Sequence, residues 1–123
     1  MLKKTILSLA IGWTFLILVL CLVNFNDLPK VKVSGADKYG HFTFHLVFTL
    51  LWSCYFWLKQ NHIALRMLFY VVLTSLCFGI LIEFLQGAFT KTRQADCLDV
   101  LANFGGAMTA FLVFVLIKIA KKA

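Results

Sequence analysis

Four long apolar runs, at 5–23, 38–58, 66–87 and 98–118, take up most of this chain and are separated by short polar pieces. Each is about 20 residues, the length a helix needs to cross the hydrocarbon core of a bilayer. In lipid the backbone must satisfy its own hydrogen bonds, so runs of this length predict helices. The 123 residues are 62% hydrophobic, against roughly one-half in a soluble domain. The expected fold is an all-α membrane protein of four transmembrane helices, one domain over 1–123 with no soluble domain.

The first run follows Lys3 and Lys4, as the core of a signal peptide would. It is too long for one, no small-x-small cleavage site follows, and Leu20 is too large to precede a lipoprotein cysteine at Cys21. A retained first helix is expected. None of Cys21, Cys54, Cys77 and Cys97 forms a CxxC pair, so no disulfide framework or zinc knuckle is expected.

The formal charge of +7 would suit nucleic acid in a soluble protein. Here the basic residues sort by helix end instead, and no nucleic-acid partner is expected. Lys3, Lys4, Lys59, Arg66, Lys118, Lys121 and Lys122 flank one side of the runs; Lys30, Lys32, Lys38, Lys91 and Arg93 flank the other. The bias predicts both termini in the cytoplasm, N-in and C-in, in a multi-pass protein of the cell's inner (cytoplasmic) membrane. Trp52, Tyr55 and Trp57 then lie toward the cytoplasmic end of the second helix, where an aromatic belt belongs. Trp13 falls within the first helix and is expected to pack against a neighbour.

The third run contains GILIEFLQ at 79–86, a glutamate and a glutamine inside an otherwise apolar helix. A carboxyl at the centre of a membrane helix costs roughly 2.5–3.5 kcal/mol on insertion scales, so it needs a reason. At 100° per residue, Asp37, His41 and His45 fall within about 80° of one another at the start of the second helix. Gly79, Glu83 and Gln86 span about 60° at the end of the third, and Asp96, Asp99 and Asn103 about 60° at the start of the fourth. With alternating helices these ends share one membrane surface. The polar faces are expected to turn toward one another, away from lipid. Ala102, Gly106 and Ala110, at four-residue spacing, would let the fourth helix approach closely. Simpler roles compete: Asp37 and Asp96 as N-caps, His41 as a hydrogen-bond donor to a neighbouring helix, His45 as a structural residue, Glu83 in a buried pair with Arg93 or His41, Gln86 and Asn103 as interhelical glue.

These residues resemble a known pattern. DKYGHF at 37–42, E-x-x-Q at 83–86 and R-x-x-D-x-x-D-x-x-x-N-x-x-G from Arg93 to Gly106 are similar to the signature of the VanZ-like family of small bacterial membrane proteins. The resemblance spans 37–110 and carries over Asp37, Lys38, His41, Glu83, Gln86, Arg93, Asp99, Asn103 and Gly106. His45 and Ala110 depart from it, standing where an aromatic residue and a second glycine are common. The family's named member is associated with resistance to teicoplanin, a lipid-tailed glycopeptide, so the resemblance implies a cell-envelope role.

Two functions fit the residues best. One is binding or handling a lipid or a lipid-linked envelope compound at the outer leaflet. Asp37, Lys38, Gln86, Arg93, Asp96 and Asn103 are the candidate ligand-binding residues, with Arg93 suited to a bidentate grip on phosphate or carboxylate. The other is catalysis: Glu83 as general acid or base, His41 as its proton partner, Asp99 orienting the histidine. Neither Ser34 nor Cys97 is placed as a nucleophile, so a hydrolase would use activated water and a transferase a second substrate. A divalent ion on His41, Glu83, Asp96 and Asp99 would take ligands from separate helices without an HExxH spacing; no metal or other cofactor is expected. A proton path needs polar residues through the full depth of the membrane and is disfavoured. A structural role, docking on a second copy or another membrane protein, is the remaining alternative.

Overall fold

The computed structural model describes residues 1–22, 36–89 and 97–122. They form four helices and no strand: α1 (Leu2–Leu22), α2 (Ala36–Gln60), α3 (Leu65–Phe89) and α4 (Cys97–Lys122). At 1.5 Å per residue the helices are about 31–39 Å long, enough to cross a bilayer core. Three of them, α1, α3 and α4, are both long and apolar enough to do so. The expectation of four spans therefore holds for three by length and composition. α2 matches the others in length but falls below them in hydropathy, because it carries Lys38, His41, His45, Lys59 and Gln60.

α2 ends at Asn61, whose positive φ of 62° takes the left-handed conformation common just past a helix C-terminus. Its N–H donates to the Trp57 carbonyl at 2.8 Å, satisfying one carbonyl of the last turn. The chain then reverses into α3. α2 packs most extensively against α4, while α3 packs against both. α1 touches α2 and α3 but not α4, so α1 and α4 lie on opposite sides of the α2–α3 pair.

The α2–α4 contact is backbone against backbone. A Cβ added at Gly106 would overlap the carbonyl of Phe42 and stand 2.9 Å from the amide nitrogen of Leu46. Ala110 is completely buried, Ala102 half-buried. α1 is held by polar contacts as well as packing. Trp13 Nε1 donates to the Phe44 carbonyl at 2.9 Å, its ring edge-on to Phe44. Trp52 Nε1 donates to Thr14 Oγ1 at 3.1 Å, and Gln86 Nε2 donates to the Cys21 carbonyl at 2.8 Å in the last turn of α1.

Large apolar side chains cover the outside: Phe15, Phe69, Phe84, Leu116 and Ile119 are all exposed. Against them, among the described residues, stand nine buried polar side chains, from His41 to Asn103. Polar inside and apolar outside is the distribution a lipid solvent favours. A cleft of about 690 Å³ opens between α1, α2 and α3, lined by Thr14, Phe48, Trp52, Tyr70 and Phe78 with Arg66 among them. It extends from the α2–α3 turn, where Gln60, Ala64 and Arg66 line it, to Phe48 and Phe78 beside His45.

Candidate functional site

His41, Glu83 and Asp99 come together at the opposite end of the bundle from that turn. Each comes from a different helix, near the start of α2, the end of α3 and the first turn of α4. All three are buried, with 4, 4 and 8% of their surfaces exposed. His41 Nε2 lies 3.7 Å from Glu83 Oε1 and 3.5 Å from Asp99 Oδ2. One ligand-type atom from each residue lies within 4.8 Å of the other two. Lys38, half-exposed at the rim, brings Nζ to 3.7 Å from Asp99 Oδ1. Asp99 also gains from its place in the first turn of α4, where the helix dipole favours negative charge.

The geometry follows from helix periodicity. His41 lies one turn after Lys38 on α2, so the ammonium and the imidazole both meet Asp99. Glu83 occupies the inner face of α3, while its neighbour Phe84 points outward and is 69% exposed.

One turn deeper lies a second polar layer. Asn103 follows Asp99 by four residues, Gly79 precedes Glu83 by four, and His45 follows His41 by four. A Cβ on Gly79 would stand 2.6 Å from Asn103 Nδ2 and 3.2 Å from His45 Cε1. The bare glycine therefore makes the room that the amide and the imidazole occupy. His45 Nδ1 is 2.8 Å from Ser75 Oγ, and its ring lies beside the stacked pair Phe48–Phe78, 6.1 Å from each. Asn103 is 1% exposed, yet among the described residues neither atom of its amide has a hydrogen-bond partner. The line continues down α2 through Thr49 and Ser53, both completely buried, whose hydroxyls also have no partner among the described residues.

The structure thus brings together the three residues assigned acid–base roles and puts Lys38 and Asn103 beside them. Gln86 is committed to the α1 carbonyl of Cys21. Arg93 and Asp96 lie outside the described residues, as does the side chain of Asp37. Sequence reasoning had no place for Ser75, or for Thr49 and Ser53. The signal for Thr49 and Ser53 was present, since 41, 45, 49 and 53 repeat every four residues along one face of α2.

Chemically, the cluster offers one imidazole and two carboxylates, shielded from solvent, with an ammonium at the mouth. It can accept hydrogen bonds from amines or hydroxyls, relay a proton, or ligate a cation. No family model matches the chain, and no curated protein or solved structure is significantly similar to it.

Proposed function

We propose that this chain is a VanZ-like protein of the cytoplasmic membrane, with four spans and both termini in the cytoplasm. In this reading the His41–Glu83–Asp99 end faces the outer leaflet. It holds the polar part of a membrane lipid or a lipid-linked cell-envelope compound, and lipid-tailed glycopeptides of the teicoplanin type belong to the same ligand class. The observation that carries the reading is the convergence of the three buried side chains from three helices beside half-exposed Lys38. Packing alone does not require two carboxyls inside a membrane bundle, and an intramembrane ionisable group is a functional candidate by default. The carboxylates suit amines and hydroxyls of a head group; Lys38, together with Lys91 and Arg93 in the neighbouring link, suits its phosphate or carboxylate.

One observation favours a second reading, a membrane-embedded hydrolase or transferase. His41 Nε2 lies toward both carboxylates at 3.7 and 3.5 Å, so a proton can pass between them through one intervening water or a substrate hydroxyl. Glu83 and His41 would then act as acid and base, and Asp99 would orient the imidazole.

Native mass spectrometry of the gently purified protein beside Glu83→Gln tests the binding reading. A defined lipid should ride with the wild type and be lost from the folded variant. Identical, nonspecific lipid on both would overturn the ligand assignment and leave Glu83 as a helix-packing residue.

A further inference from the structure

The spacing within the cluster points to a divalent metal. We infer that His41, Glu83 and Asp99 form a three-ligand site for a first-row divalent cation, best matched to Zn²⁺. The inference stands independently of the envelope-lipid reading.

The first argument is distance. The imidazole lies 3.5 and 3.7 Å from the two carboxylates. A charge-assisted hydrogen bond would draw these atoms to about 2.7–2.9 Å. Ligand atoms sharing a tetrahedral zinc, with bonds of 2.0–2.2 Å, stand about 3.3–3.6 Å apart. The observed separations are too long for direct bonding and within a few tenths of an ångström of the edges of a coordination tetrahedron. The ligand atoms come from three helices, and all lie within 4.8 Å of one another.

The second argument is charge. Two buried carboxylates this close repel each other unless one keeps its proton or a cation is shared between them. Lys38 contributes from the rim, 3.7 Å from Asp99 Oδ1, and its side chain is 41% exposed. A divalent ion set among the three ligands compensates both carboxylates from within, with the imidazole neutral and ligating.

The third argument comes from the layer beneath. Asn103 is buried, and neither its amide oxygen nor its nitrogen has a partner among the described residues. It sits one turn below Asp99 on the same face of α4, in space that Gly79 keeps open below Glu83. Metal sites need such outer polar groups to fix a ligand or a metal-bound water. With three protein ligands a tetrahedral ion keeps a fourth position, the arrangement of zinc sites that bind water or substrate rather than of purely structural ones. The donor set has no thiolate and mixes nitrogen with oxygen, which suits Zn²⁺ or Mn²⁺ better than Cu⁺ or Ca²⁺.

The test uses the full chain in lipid nanodiscs, stripped with chelator and returned to metal-free buffer. Cobalt(II) is titrated as a visible probe, then displaced with zinc, and bound metal is counted by mass spectrometry. One zinc per chain is expected, with a cobalt d–d spectrum that zinc abolishes. His41→Ala and Asp99→Asn, with helical circular dichroism retained, should weaken zinc at least about tenfold, since even outer-shell changes cost that much. Glu83→Gln preserves shape and should weaken it likewise. Should the His41 and Asp99 variants fail to fold, the wild-type spectrum and Glu83→Gln decide. A folded wild type with no d–d band, Glu83→Gln with unchanged affinity, or zinc uptake lost in His62→Ala but kept in His41→Ala would each overturn the site.

Discussion

Glu83 sits in a helix whose next residue, Phe84, points outward, and a rotation of about 100° separates the two environments. On the lipid side its carboxyl would cost several kcal/mol; on the inner side it meets His41 and Asp99. The same accounting distinguishes the hydroxyls. Ser75 Oγ is bonded to His45, so Ser75→Ala strips a buried imidazole of its partner and should destabilise by about 1–3 kcal/mol. Thr49 Oγ1 is buried with no partner among the described residues, so Thr49→Val removes only an unsatisfied group. It should leave stability unchanged or raise it by up to about 1 kcal/mol. Thermal unfolding midpoints in detergent compare the two; the reverse order would show that the hydroxyls have exchanged roles. At this scale the sequence was legible where a residue was conspicuous. Glu83, His41 and Asp99 stand out of apolar runs at helical spacing. Ser75 does not, because a serine in a membrane helix carries no signal until its partner on another helix is known. Gln86 was visible, but its attachment to the Cys21 carbonyl depends on where α1 packs, which no spacing within α3 encodes.

Helix α2 is the least apolar of the four and the one most enclosed by the others. Of its side chains only Tyr39 is a large, well-exposed apolar group, whereas α1, α3 and α4 supply the rest of the outer surface. A helix with a polar stripe must turn it inward, and contact with all three neighbours accomplishes that. The existence and extent of the helices were readable, since apolar run length sets them directly. Which helices touch was less so: hydropathy marks what faces lipid and says little about which neighbour covers the rest. Gly106 is the exception, because a small residue on a polar face signals close approach. Gly106→Ala would drive a methyl into the Phe42 carbonyl and should cost about 1–3 kcal/mol as α2 and α4 separate. Gly12, on α1, has nothing within 4 Å of an added Cβ. Gly12→Ala should be neutral or stabilising by up to about 1 kcal/mol, because alanine loses less backbone entropy in a helix. If both alanines destabilise equally, loss of glycine itself, rather than the α2–α4 contact, is what matters.

The whole bundle has two unlike ends. Lys3 and Lys4 at the start of α1, Lys59 at the end of α2, Arg66 at the start of α3 and Lys118, Lys121 and Lys122 at the end of α4 gather at one of them. Lys121 there packs over the Trp57 ring at 4.1 Å, an interfacial pairing of cation and aromatic. Among the described residues the other end has a single basic side chain, Lys38, with the three buried ionisable groups beneath it. Basic residues next to spans are retained on the cytoplasmic side, so the proposed N-in, C-in topology would turn the cluster toward the outer leaflet. Cys97 offers a native probe, being exposed at the first position of α4 at the cluster end. With Cys21, Cys54 and Cys77 replaced by alanine, a membrane-impermeant maleimide should label Cys97 in intact spheroplasts. A cysteine at position 121, introduced after all four native ones are removed, should react only once the membrane is opened. The reverse pattern would place the His41–Glu83–Asp99 cluster in the cytoplasmic leaflet, where its ligand would have to come from inside the cell. Labelling of both positions in intact spheroplasts would mean that α4, the one helix between them, does not cross the membrane.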